Sequence, residues 1–147
     1  MTDDFYRDVE ENRPGWTMIV RGDGHGRVAL KAGDGKLLVV LTGEPSGEDL
    51  LGCFRAALEQ NVLLTEMPTL VDSTRYFGLM EWKSVFAIRD LAPWGEGGTG
   101  NARTAYLFRD ENSDATIKIV TAMFEASLHR AFTDRAVAIR WLESREP

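Results

Sequence analysis

Leu37-Leu38-Val39-Val40-Leu41 is an unbroken apolar run, and shortly after it the rhythm changes: past Ser46-Gly47-Glu48-Asp49, the residues Leu50, Leu51, Phe54, Ala57 and Leu58 fall at i, i+1, i+4, i+7 and i+8. A strand apolar at every position is buried on both faces, so it belongs in the interior of a sheet that is covered from both sides. The spacing that follows is one stripe of a helix. Ser46 and Asp49 stand at the capping-box distance, where a hydroxyl and a carboxylate satisfy the open amides of a helix start. A buried strand running into an amphipathic helix is the signature of an α/β sheet.

Reading towards the N-terminus, Val28-Ala29-Leu30 is separated from that run by Gly33-Asp34-Gly35, a tight-turn sequence. Trp16-Thr17-Met18-Ile19-Val20 is rich in β-formers and is followed by the Gly22-Asp23-Gly24-His25-Gly26 cluster, whose glycines supply positive φ. These strands predict an antiparallel N-terminal hairpin at the sheet's edge. Residues 1–14 carry Asp3, Asp4, Asp8, Glu10 and Glu11 around Phe5, Tyr6 and Val9, and read as an acidic arm or short amphipathic helix with a mobile tip, ahead of a single domain over 15–147.

Reading towards the C-terminus, Thr69-Leu70-Val71 is a short strand ending at Asp72. Trp82, Val85, Phe86 and Arg89 share a helix face, and Pro93 stops that helix. Thr104 to Phe108 is a strand, Ile117, Val120, Met123 and Phe124 form a helical stripe, and Leu128 to Phe132 is a final strand. Thr133 then caps a helix that buries Val137, Ala138, Trp141 and Leu142. Alternation of short strands and helices calls for right-handed crossovers. The predicted fold class is α/β, with a mostly parallel central sheet, the N-terminal hairpin and about four flanking helices.

Composition narrows the class of function. The 147 residues are 44% hydrophobic, 27% charged and 10% aromatic, a globular balance. With 17 Lys and Arg against 23 Asp and Glu, the net charge of −6 repels nucleic acid and anionic membranes, leaving peripheral membrane contact as a secondary expectation. A single cysteine, Cys53, makes no internal disulfide, and no secretory leader pattern opens the chain, so the expected compartment is the cytoplasm.

Few residues stand at spacings that carry chemistry. Gly95-Glu96-Gly97-Gly98-Thr99-Gly100 matches G-x-G-x-x-G, but a helix precedes it and a strand follows, so no helix N-terminus faces a phosphate and a plain connection is expected. No Cys, His or carboxylate spacing fits zinc or calcium, and no nucleophile and base share a motif. The expectation is therefore no catalytic residue, no metal and no cofactor, with Cys53 a packed thiol and His25 and His129 structural. Asp72, Ser73 and Thr74 lie where a strand meets the approach to a helix, the place where open α/β sheets gather ligands. Their hydroxyls could take a phosphoryl group or a ligand, with Arg75 supplying charge, or the triplet could be an Asx or Ser/Thr turn. Tyr76, Phe77, Trp82 and Phe86 line an apolar groove under a movable helix, or are core. An enzyme built on Asp72 or His129 has placement alone behind it.

Arg130-Ala131-Phe132-Thr133-Asp134, followed by Ala138-Ile139-Arg140-Trp141-Leu142, resembles the ending of the SpoIIAA-like family, which is related to STAS domains and more loosely to CRAL-TRIO lipid-transfer domains. The likeness extends in element order from Val28 to Glu143. It implies a four- or five-stranded sheet flanked by helices, a non-catalytic role, homodimers, and a capacity for an apolar small molecule, a lipid, a protein partner or membrane association. The STAS relationship adds the alternative of a regulatory switch phosphorylated at Ser73 or Thr74.

Overall fold

The computed structural model describes residues 5–98 and 102–144. Among them, six strands and four helices follow one another as β1 (Thr17–Gly22), β2 (Gly26–Gly33), β3 (Lys36–Gly43), α1 (Gly47–Glu59), β4 (Thr69–Tyr76), α2 (Trp82–Arg89), β5 (Arg103–Leu107), α3 (Asp114–Met123), β6 (Leu128–Phe132) and α4 (Arg135–Glu143). The sheet order is β1-β2-β3-β4-β5-β6. The first three strands form an antiparallel meander, and β3 to β6 pair in parallel. This is the predicted mixed sheet, with one more strand than the largest sheet the family resemblance implied.

Local chemistry sets the meander. Asp34 and Gly35 both adopt positive φ, 53° and 73°, as a two-residue turn matching the twist of its strands requires. Three crossovers, β3-α1-β4, β4-α2-β5 and β5-α3-β6, all step the same way along the sheet. Right-handed connections taken in one direction place their helices on one face. On that face Leu37, Val39 and Leu41 of β3 pack with Val28 and Leu30 of β2 and with Cys53 and Ala57 of α1. Ser46 caps α1, its Oγ accepting from the Asp49 amide at 3.1 Å.

The opposite face is closed by α4 and by the start of the chain. Leu38, Leu70, Ala105 and Leu107 pack there with Ala138 and Leu142 of α4 and with Phe5, Tyr6 and Trp16. Helix α4 touches β4, β5 and β6, so the aromatic residues of the N-terminal segment cover the part of the sheet it does not reach. Phe5 and Tyr6 are fully buried. From Phe5 onwards the expected acidic arm is thus part of the core: Asp8 and Glu10 face water while the aromatics between the charges turn inward. The expected mobile tip, residues 1–4, lies outside the described residues. The cap of α4 also differs from expectation, because Asp134 and not Thr133 accepts from the Val137 amide, at 3.2 Å, and Val137 is exposed.

A buried cation fastens this segment. Lys31 of β2 is fully buried, its Nζ 4.5 Å from the Phe5 ring centroid and 4.4 Å from that of Trp16, and it donates to the Asp8 carbonyl at 2.8 Å. Desolvation lowers its pKa while Glu11 and Asp8 act to raise it. Trp16 Nε1 donates to Asp34 Oδ2 at 2.8 Å, and the Tyr6 hydroxyl to the Pro68 carbonyl at 2.9 Å. A desolvated cation–π contact with two rings, together with a charge-assisted hydrogen bond, is worth about 2 kcal/mol. Replacing Lys31 with Met keeps the stem and removes the charge, so Lys31→Met is expected to lower Tm by roughly 4–8 °C in thermal unfolding. An unchanged Tm would show that the ammonium group fastens nothing.

Candidate functional site

Asp72, Ser73 and Thr74 are in the strand and not beyond it. Parallel pairing with β3 carries β4 on to Tyr76, and the register slips between Val40 and Thr42, so one extra residue of β4 bulges there. Because strand side chains alternate, the triplet is divided between the two faces. Asp72 turns towards α4, where it is buried and paired with Arg135, which also donates to the Tyr6 carbonyl. Its Oδ1 accepts from the Thr74 amide at 3.0 Å and the Thr74 hydroxyl at 2.6 Å, the side-chain turn that holds the bulge. Ser73 turns to the other face, also buried. Among the described strands the order runs without reversal, so no switch point lies beside this triplet. Arg75 is exposed, and Tyr76 packs beside α1.

The face that receives Ser73 holds an apolar cavity of about 150 Å³. Its roof is α2, which packs mainly on α1. The two helices approach closely where Gly47 meets Ser84, since a Cβ on Gly47 would collide with the Ser84 side chain. Helix α2 then spans a gap floored by Val71, Ser73 and Thr104, with Trp82, Val85 and Ile88 on its inner side. Phe54 and Trp94, edge to face at 6.2 Å, close one wall, and Trp94 Nε1 donates to the Ile88 carbonyl at 2.8 Å. Of the aromatics expected to line a groove beside α2, Tyr76 is not in the described wall of this cavity. Trp82 lines it, whereas Phe86 lies on the outer side of α2, 43% exposed under Arg89, and Phe77 is exposed under Arg109. Ile88, absent from the expected set, lines the cavity.

Among its apolar residues the wall carries the hydroxyl residues Thr65, Thr69, Ser73, Thr104, Thr116 and Ser127. Tyr106 of β5 and His129 of β6 share this face, and the Tyr106 hydroxyl meets His129 Nδ1 at 2.9 Å. Burial pushes the Tyr106 pKa up and pulls that of His129 down to about 4, the nearby Phe124 carbonyl opposing the second shift. His129 is therefore neutral at pH 7. Its Nε2 is buried and finds no hydrogen-bond partner among the described residues. None of the described residues lining the cavity is a Lys, Arg, Asp or Glu.

Other candidates resolve into structure. Cys53 is a packed thiol, its Sγ 3.7 Å from the Val28 carbonyl oxygen and its pKa raised to about 11 by burial. His25 is exposed in the β1–β2 turn. Gly95 to Gly98 form a turn after α2, with the Gly95 amide donating to the Thr65 carbonyl at 2.9 Å, while Thr99 and Gly100 lie outside the described residues. A broader depression of about 380 Å³ is walled by Glu111, Asp114 and Asp134, carboxylates that oppose an anion at the neighbouring helix starts. Among the described residues, no cluster of His, Cys, Asp and Glu could hold a metal, and no helix is long and apolar enough to cross a membrane.

The buried imidazole has a measurable consequence. A folded-state pKa near 4 against an unfolded value of 6.5 means that the unfolded chain binds the extra proton first as pH falls. The contribution of His129 to stability is thus fully present above pH 6.5 and declines towards pH 4, by about 3 kcal/mol. Denaturant unfolding at pH 7 and pH 4.5 is expected to show a smaller loss for His129→Phe than for the unaltered protein. Equal losses would place the imidazole in water.

Comparison with known proteins adds the fold. No protein-family model matches the chain, and no curated protein is significantly similar to it. Among solved structures, it is similar to an uncharacterized protein of the DUF3478 family from Shewanella loihica PV-4, described as having a SpoIIAA-like fold. The two share 18% identity and a TM-score of 0.53, over 90% of this chain and 98% of that one. At that identity the likeness speaks for architecture alone. The mixed sheet with its four helices is a SpoIIAA-like fold.

Proposed function

We propose that the protein is a non-enzymatic domain that binds one compact apolar molecule in the cavity beneath α2. The observation that carries this reading is that α2, packed mainly on α1, roofs an apolar cavity whose described wall holds no charged residue. Protein interiors are close-packed, so an apolar void of this size forfeits contacts that a ligand would restore. A dry cavity of similar volume, engineered elsewhere, takes up benzene. Helix α2 has eight residues, and its N-cap Glu81 makes no side-chain capping hydrogen bond, which supports its use as the lid.

A second reading has its own observation. The loop joining β4 to α2 exposes Phe77 by 60% and Leu79 by 92%, an apolar tip that supports peripheral contact with a membrane or a protein partner. The alternative of a STAS-type switch phosphorylated at Ser73 or Thr74 is the weaker proposal. Ser73 is buried in a strand, and the Thr74 hydroxyl is held by Asp72, so a kinase would have to open β4 to reach either.

Toluene is the probe for the first reading. Saturable quenching or enhancement of tryptophan fluorescence is expected, since Trp82 and Trp94 line the cavity. At a hundredfold excess over Kd it should stabilise the fold by about 2.7 kcal/mol, raising Tm by roughly 5–10 °C. Val71→Phe fills the floor and should abolish both effects while keeping the far-UV circular dichroism. A Tm rise that survives Val71→Phe would move the binding elsewhere. For the second reading, Leu79→Asp should leave toluene binding intact and remove co-sedimentation with phosphatidylcholine vesicles. No sedimentation of the unaltered protein would reject the membrane form of that reading.

A further inference from the structure

The cavity's polar wall narrows the class of molecule it would take, an inference that rests on the ligand-binding reading above. The Tyr106 hydroxyl is a donor in an apolar enclosure, and a buried donor left unpaired is costly. His129 Nδ1, 2.9 Å away, is the group within reach that can accept from it. An imidazole whose Nδ1 accepts in this way and which is neutral carries its one proton on Nε2. Apart from the influence of the Phe124 carbonyl, Nε2–H is then a donor with no hydrogen-bond partner among the described residues, on a residue that lines the cavity beside Val120, Phe124 and Thr104. Phe124 and Tyr106 flank the ring, with centroids at 5.6 and 5.7 Å, and hold its plane.

We infer that the cavity takes an uncharged, compact, largely apolar molecule bearing one hydrogen-bond acceptor, such as a ketone, ester or ether oxygen, which receives the proton of His129 Nε2. The absence of charged residues among those lining the wall argues against a carboxylate or an amine, because a lone ion in such a place pays a desolvation cost that nothing offsets. The wall is mainly apolar, with hydroxyls such as those of Ser73, Thr104 and Thr116 as its other polar groups, which favours a molecule with few polar atoms over a polyol or sugar. Tyr106 acts through His129: it fixes which nitrogen carries the proton and is a positioning residue.

Cyclohexanone and methylenecyclohexane have nearly the same shape and differ in that the ketone oxygen accepts a hydrogen bond. Kd for each is measured by tryptophan fluorescence with the unaltered protein, His129→Phe and Tyr106→Phe. The ratio of the two Kd values is expected to shift against the ketone by roughly three- to tenfold in His129→Phe, the affinity equivalent of one neutral hydrogen bond. Tyr106→Phe should shift it less, since the freed imidazole can present either nitrogen. The unaltered protein, labelled with 15N-histidine, gives a measurement independent of any variant. Long-range proton–nitrogen correlation should find the proton on Nε2, and the Nε2 signal should move with cyclohexanone and not with methylenecyclohexane. Equal ratios in all three proteins, or a proton on Nδ1, overturns the inference while leaving apolar binding in place. Failure of both probes to bind overturns the binding reading as well.

Discussion

A sheet whose strands follow chain order, joined by crossovers of one hand, cannot distribute its helices evenly. Three of them crowd onto one face, and the other is left to whatever the two ends of the chain bring. Here α4 covers β4 to β6, and the aromatic residues before β1 cover the remainder. On the crowded face, α1 lies against the meander, α3 against β6, and α2 rides on α1. The space between α2 and the parallel strands follows from that arrangement, and with it an apolar enclosure whose wall includes His129.

Elements decided by nearby residues were readable from the sequence. The run Leu37 to Leu41 announced a strand buried on both faces, and Ser46 with the stripe beyond it announced α1, both of which the structure has. Where the outcome depended on distant residues, the reading fell short. Asp72, Ser73 and Thr74 have the local preferences of a turn, yet β4 continues through them, because pairing with β3 resumes after a bulge and Arg135, 63 residues further on, neutralises Asp72. Phe5 and Tyr6 were masked by the carboxylates around them. Lys31 packs on Phe5 and Asp34 holds Trp16 beside it, partnerships that no local window reveals.

The site shows the same division. Trp82 and Val85 were legible as the inner stripe of α2, but over eight residues the period also admits Phe86, and only the position of α1 selects Ile88 in its place. Tyr106 and His129 each sat in a correctly read strand. Their meeting depends on the adjacency of β5 and β6 and on their register, in which Thr104 opposes His129 and Tyr106 opposes Ala131. A period of two placed each residue on a face. It could not say that the faces coincide.

Arg135 joins three stretches that are remote along the chain: its guanidinium reaches Asp72 in the middle of the sheet and the backbone at Tyr6. The opening aromatics therefore gain their full set of neighbours only when the last helix is seated. Closure of that layer thus couples α4, the middle of β4 and the segment before β1 through one guanidinium, so that loosening any of the three exposes the others.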